Sequence, residues 1–167
     1  MNLYLLRHAI AVDRTTPGLD DAQRELTPEG ASKMARIARG MFALDLQFDL
    51  ILSSPYIRAR QTADIVAERF KARDMLRFTE NLVPGPTGEQ VILEINKRYR
   101  KRENVLLVGH EPMLSSLISM LISGDPTLPV VMKKGGLCHL QTAALAYGRC
   151  ASLEWLLFPS QLAQLGH

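Results

Sequence analysis

A chain of 167 residues, 47% apolar and 22% charged, can bury a core within one domain and is too ordinary in composition for a disordered or fibrous protein. Its net charge of +3 mildly favours anionic ligands but does not by itself predict nucleic-acid binding. Two cysteines, Cys138 and Cys150, exclude a disulfide framework.

The first apolar run, Leu3 to Leu6, is preceded by no basic stretch and is interrupted at once by Arg7 and His8, so it does not read as a signal peptide. No apolar run approaches the ~18 residues of a membrane helix. The expectation is a soluble, cytoplasmic protein with no membrane partner.

Short apolar runs alternate with amphipathic stretches. Leu3 to Leu6, Leu50 to Leu52 and Val105 to Val108 are brief and flanked by turn residues, as buried strands are. Thr27-Pro28 reads as a helix N-cap with proline in the first turn, and Met34, Ile37, Ala38 and Met41 continue at helical spacing. Ser54-Pro55 repeats the start signal ahead of Ala59, Ala63, Val66 and Phe70. A weak strand is expected near Met75 to Phe78. Val91, Ile92, Ile95 and Tyr99 mark a third helix, and Pro112 opens a fourth carrying Leu114, Leu117, Ile118, Leu121 and Ile122. Leu137 to Ala146 and Leu153 to Phe158, with Gly148 between them, read as a closing hairpin. This order predicts one α/β domain over residues 1–167, a three-layer α/β/α arrangement whose mainly parallel sheet has helices on both faces.

Three predicted strands end in chemically capable residues. The first runs into Arg7-His8, the second into Ser53-Ser54 and a helix bearing Arg58 and Arg60, and the third into Gly109-His110-Glu111-Pro112. Ligand sites of open α/β sheets lie beyond the carboxyl ends of the strands, and helix N-termini there suit an anion. Arg7 and Arg58 offer planar donors for phosphate oxygens. His8 and His110 can act as nucleophile or proton carrier, and neighbouring cations favour the neutral imidazole at His8. Arg58 also stands near a helix start, where the dipole disfavours a cation, as functional residues sometimes do. Phosphoryl transfer needs charge neutralisation and in-line placement above all.

Leu5-Leu6-Arg7-His8-Ala9, Leu26-Thr27-Pro28-Glu29-Gly30, Ser53-Ser54-Pro55 with Arg58-Ala59 and Gln61-Thr62-Ala63, and Gly109-His110-Glu111-Pro112 together resemble the histidine phosphatase superfamily, the phosphoglycerate-mutase-like group. The short length and the ending Glu154-Trp155-Leu156 with Pro159 resemble its SixA-type phosphohistidine phosphatases. The resemblance implies His8 as a nucleophile that forms a phosphohistidine, Arg7 and Arg58 as phosphate clamps, and His110 as the second histidine on the transferring group. It implies no metal and no cofactor. It also implies a phosphohistidine-bearing signalling protein, the phosphotransfer domain of a two-component relay, as substrate partner, with no nucleic acid. Ala9 stands where most members have glycine, and the acid-bearing insertion of larger members is missing. Glu80 and Glu89 are the remaining candidates for a proton donor. An alkoxide leaving group needs that proton more than an imidazole does, which favours phosphohistidine over the alternative, a broad small-molecule phosphomonoesterase. A non-catalytic phosphate-recognition module is a third reading.

The other polar residues read more plainly. Ser53 and Ser54 lack a nucleophile-elbow context and read as capping residues, Arg60 as a solvated helix residue, and His139 and His167 as structural or incidental. The histidines show no metal-ligand spacing. Cys138 and Cys150 flank the hairpin, where a cytosolic disulfide is not expected. Lys97 to Arg102 reads as a solvated helix end, with docking of an acidic partner as the alternative. Lys133-Lys134-Gly135-Gly136 resembles a loop of SixA-like sequences, and the sequence leaves open whether its lysines reach phosphate.

Overall fold

A computed structural model describes residues 1–166, so His167 lies outside the described residues. Its six strands are β1 (Asn2–Arg7), β2 (Leu50–Ser53), β3 (Leu76–Phe78), β4 (Asn104–Gly109), β5 (Leu137–Thr142) and β6 (Ala151–Leu157). They form one sheet in the order β3-β2-β4-β1-β5-β6. β3, β2, β4 and β1 run parallel, whereas β5 and β6 are antiparallel additions. The helices are α1 (Pro28–Ala43), α2 (Ile57–Arg69), α3 (Gly88–Arg98), α4 (Met113–Ser123) and α5 (Pro159–Leu165).

Period-two alternation divides the strand side chains between two cores. Leu3, Leu5, Leu52, Val105 and Leu107 face Ile92 and Ile95 of α3 and Leu117 and Leu121 of α4. Tyr4, Leu6, Ile51, Leu106 and Val108 face Met34, Ile37 and Met41 of α1, Ala63 and Val66 of α2, and Leu162 of α5. The expected three-layer α/β/α arrangement is therefore present, with α1, α2 and α5 on one face and α3 and α4 on the other. Burying each such Leu or Ile contributes roughly 1.5–3 kcal/mol, which is why the central strands are nearly continuous apolar runs.

Three expectations are corrected. α5 was absent from the sequence reading. The first strand of the hairpin stops at Thr142 rather than running to Ala146, because Thr142 Oγ1 donates to the Cys150 carbonyl at 2.7 Å and Leu145 turns into the core, its carbonyl accepting from Asn96 Nδ2 of α3 at 2.8 Å. α2 begins at Ile57, not at Ser54-Pro55, because the Ser54 hydroxyl is engaged elsewhere. Thr27 does cap α1 as expected, accepting from the Gly30 N–H at 2.9 Å.

Candidate active site

Backbone pairing continues past the strand ends and assembles the site. The His8 N–H donates to the Gly109 carbonyl (3.1 Å) and the Ser54 N–H to the Val108 carbonyl (3.0 Å), so three chain segments lie side by side where β1, β2 and β4 stop. Thr62 fixes the next residue: its Oγ1 accepts from the Ala9 N–H (3.0 Å) and donates to the Arg58 carbonyl (2.7 Å). Ala9 is buried and its φ is not positive, so its methyl group is accommodated without strain. Gln61 Oε1 accepts from the Leu26 N–H at 2.7 Å, tying the loop after β1 to α2.

His8, Arg58 and His110 are 5%, 3% and 2% exposed. The His8 Nδ1 lies 2.7 Å from the Ala9 carbonyl. A carbonyl can only accept, so Nδ1 carries the proton and Nε2 carries the lone pair. The Arg58 Nε–H donates to that Nε2 at 3.3 Å. The rings of His8 and His110 are 5.1 Å apart between centroids, and His110 Nε2 is hydrogen-bonded to Ser54 Oγ at 2.9 Å. The same Ser54 Oγ accepts from the Tyr56 N–H at 3.2 Å, which leaves it no helix to cap. His110 Nδ1 and Arg7 Nε are buried without a partner, although Arg7 Nη1 donates to the Met132 carbonyl at 2.7 Å.

The four residues named from the sequence, Arg7, His8, Arg58 and His110, line one cavity of about 220 Å³. Arg14, Arg24, Lys134 and Glu111 line it too, so cations outnumber carboxylates around it and it suits an anion. Lys134 reaches it because its loop is laced to β1: the Gly135 N–H donates to the Arg7 carbonyl (3.0 Å) and the Arg7 N–H to the Gly136 carbonyl (3.2 Å). Gly135 makes that turn at φ +80°, where an added Cβ would also lie 2.8 Å from Ile37 Cδ1.

Burial, then the charges of Arg58, Arg7 and Lys134, push the His8 pKa down to about 3, against the opposing bond to the Ala9 carbonyl. Burial, then His8 and Arg58, push His110 down to about 3. Both imidazoles are thus neutral at pH 7, as the cations suggested for His8.

Sequence reasoning missed Asp21 and Arg24. Asp21 sits in a single 3-10 turn, Asp21–Gln23, and pairs with Arg58 Nη2 (3.0 Å) and Arg24 Nη1 (2.8 Å). Its backbone carbonyl also accepts from Arg58 Nη1. Burial raises the Asp21 carboxyl, but the hydrogen bonds and charges of Arg24 and Arg58 outweigh that and hold it below the usual range. The available signal was length: about twenty mostly polar residues between β1 and α1 are more than a compact domain needs for a connection.

The remaining residues fall elsewhere. Glu80 and Glu89 do not line the cavity, whereas Glu111 does. Its Oε1 accepts from the Ser115 N–H at 3.0 Å. Arg60 is exposed over the Phe78 ring. Ser53 Oγ donates to the Ser54 carbonyl. His139 stacks on Tyr4 at 4.4 Å. Cys138 and Cys150 are both free thiols. Among the described residues, no His, Cys, Asp and Glu side chains cluster as three or more potential metal ligands, and no helix is long and apolar enough to cross a membrane.

A family model of the histidine phosphatase superfamily (branch 1) matches residues 3–82, the stretch carrying Arg7, His8 and Arg58. The chain belongs to this superfamily. An uncharacterised protein of Picosynechococcus sp. is 32% identical over 86% of this chain and 87% of its own length. Phosphohistidine phosphatase SixA of Escherichia coli K12 is 23% identical over 75% of this chain and 76% of its length. A solved structure of the protein histidine phosphatase SixA complexed with tungstate superposes with a TM-score of 0.82 at 21% identity, covering 97% of this chain and 99% of that one. Within the superfamily, the fold is similar to that of SixA, and the sequence shares a weaker likeness with it. The family match stops before β4, so His110 enters the site through the sheet order.

Proposed function

We propose that this phosphatase hydrolyses phosphohistidine on a signalling protein, a two-component phosphotransfer domain, through a phosphoryl group held on His8. The observation that carries the reading is the state of His8: Nδ1 holds the proton against the Ala9 carbonyl, and the Nε2 lone pair belongs to the cation-lined cavity.

In the first step Nε2 attacks phosphorus in line with the scissile P–N bond. Arg58 Nε–H leaves the lone pair and turns to a phosphoryl oxygen, while Arg7 and His110 take others. The P–N bond breaks, and the departing imidazole keeps the electron pair and takes a proton from solvent. In the second step water attacks phosphorus, the bond to Nε2 breaks, and the lone pair returns to His8. Phosphate and one proton leave. The balance is phosphohistidine plus water giving histidine plus phosphate.

The choice of a P–N substrate rests on the proton supply. Glu80 and Glu89 lie off the cavity, and Glu111 holds its carboxylate against a backbone N–H. An imidazole departs with little assistance, whereas an alkoxide requires an acid. Arginine charge serves where other phosphatases use a metal, so a chelator leaves the rate unchanged.

The test is incubation with a phosphohistidine-bearing phosphotransfer domain, following phosphate release with wild type and His8→Ala. Wild type releases phosphate and His8→Ala does not; equal rates end the mechanism. A panel of sugar and nucleotide monophosphates turned over faster than phosphohistidine would instead make the protein a broad small-molecule phosphomonoesterase.

A further inference from the structure

A second cavity, of about 480 Å³, adjoins the cationic one and shares Pro84, His110 and Glu111 with it. Its wall differs in chemistry. Pro86, Pro112, Met113, Leu117, Pro126 and Tyr147 present mostly carbon, contributed by the segment before α3, the start of α4, the turn after α4 and the β5–β6 connection. Besides His110, the polar side chains lining it are Thr87, Glu111, Ser116 and Tyr147. The Thr87 hydroxyl donates to Gln90 Oε1 at 3.0 Å, and the Glu111 carboxylate accepts from Ser115. The polar groups left over, the Ser116 and Tyr147 hydroxyls and the second Glu111 oxygen, are set among prolines, Met113 and Leu117, so apolar contact dominates the wall. Because the two cavities share Pro84, His110 and Glu111, a molecule whose phosphate lies between Arg58 and His110 has this groove alongside it. The volume exceeds that of an imidazole and falls within the range of small-ligand sites.

We infer that this groove is the specificity site for the leaving-group side of the substrate, taking the phosphorylated imidazole together with an apolar side chain flanking it in the substrate protein. The inference rests on the phosphohistidine reading and adds to it a rule about sequence: an apolar neighbour promotes turnover and a polar one does not. The gain comes from burying one apolar side chain, on the order of tenfold or more in affinity, and is carried by KM because the side chain stays buried through the chemical step.

The experiment compares phosphoramidate, whose leaving group is ammonia, with two phosphohistidine peptides that differ only in leucine or serine flanks, and with 1-naphthyl phosphate. Two variants leave Arg7, His8, Arg58 and His110 untouched: Ser116→Trp, which fills the groove from α4, and Tyr147→Ala, which removes one wall. Thermal melts establish that each is folded. The expected result is a preference of about tenfold for the leucine peptide, expressed in KM, that disappears in Ser116→Trp and shrinks in Tyr147→Ala, with phosphoramidate turnover unchanged in both. Equal KM values for the two peptides, or a preference that survives Ser116→Trp, overturn the groove assignment while the phosphatase reading stands. Efficient turnover of 1-naphthyl phosphate without peptide discrimination assigns the groove to a small aryl ester and also overturns it. Failure of wild type to hydrolyse either phosphoramidate or the peptides removes the phosphohistidine reading, and this inference with it.

Discussion

An imidazole whose pKa falls from 6.5 to about 3 on folding binds fewer protons than the same group in the unfolded chain. For His8 and His110 the linked stability is full above pH 6.5 and is lost as pH falls from there towards 3, by roughly 3 kcal/mol per imidazole near pH 4.5. Asp21 acts in the same direction lower down, because its depressed pKa contributes stability above the ordinary carboxylate range that is lost on further acidification. Two outcomes follow. The ring C–H resonances of His8 and His110 in the free protein do not titrate between pH 8 and 5, and the melting temperature declines steadily below pH 6. A titration of either ring near 6.5 would contradict the burial argument. Asp21 belongs to the same network as a positioning residue. Asp21→Ala leaves the buried Arg58 guanidinium without its carboxylate, which costs roughly 1–3 kcal/mol of stability and about tenfold in kcat/KM, seen mainly in kcat. Asp21→Asn, which retains one acceptor oxygen, recovers part of both. Unchanged kinetics in Asp21→Ala would mean that Arg58 is held well enough by its bonds to His8 and to the Asp21 backbone.

At the scale of elements, α1 and α5 approach more closely than side chains usually permit. A Cβ on Gly40 would lie 1.8 Å from the Leu162 carbonyl oxygen, and one on Gly166 would lie 2.3 Å from that of Arg36. Gly40→Ala therefore forces the two helices apart. The expected cost is about 1–3 kcal/mol, read as a fall of several degrees in melting temperature, with kcat unchanged because the site lies at the strand ends. This contact also explains why α5 escaped the sequence reading. Seven residues with one fully buried apolar side chain, Leu162, are too short to be helical on local preference; the helix exists because α1 offers a glycine groove. α1 itself was legible, since Thr27, Pro28 and the Met34–Ile37–Met41 spacing are local signals. The start of α2 was misplaced because Ser54 has two possible partners, a helix N-terminus nearby and an imidazole 56 residues away, and only the fold chooses. Arg7, His8, Arg58 and His110 were legible as strand-end and helix-start residues. Asp21 and Arg24 were not, because an ion pair across a loop has no periodicity.

On the scale of the whole molecule, the sheet order makes assembly of the site a late event. β1 and β2 do not pair with each other; both pair with β4, which lies more than fifty residues beyond β2. A fragment ending at residue 103 therefore holds Arg7, His8 and Arg58 but no strand to join them. It is expected to show no cooperative thermal transition by circular dichroism and no phosphate release, and a cooperative melt would mean that the two strands can pair without β4. The same interposed strand bears on synthesis. At roughly 5–20 residues per second, a ribosome needs several seconds after finishing β2 to deliver β4. During that interval two apolar strands wait with open edges, an invitation to chaperones, and to mispairing with a neighbouring nascent chain wherever chaperones are scarce.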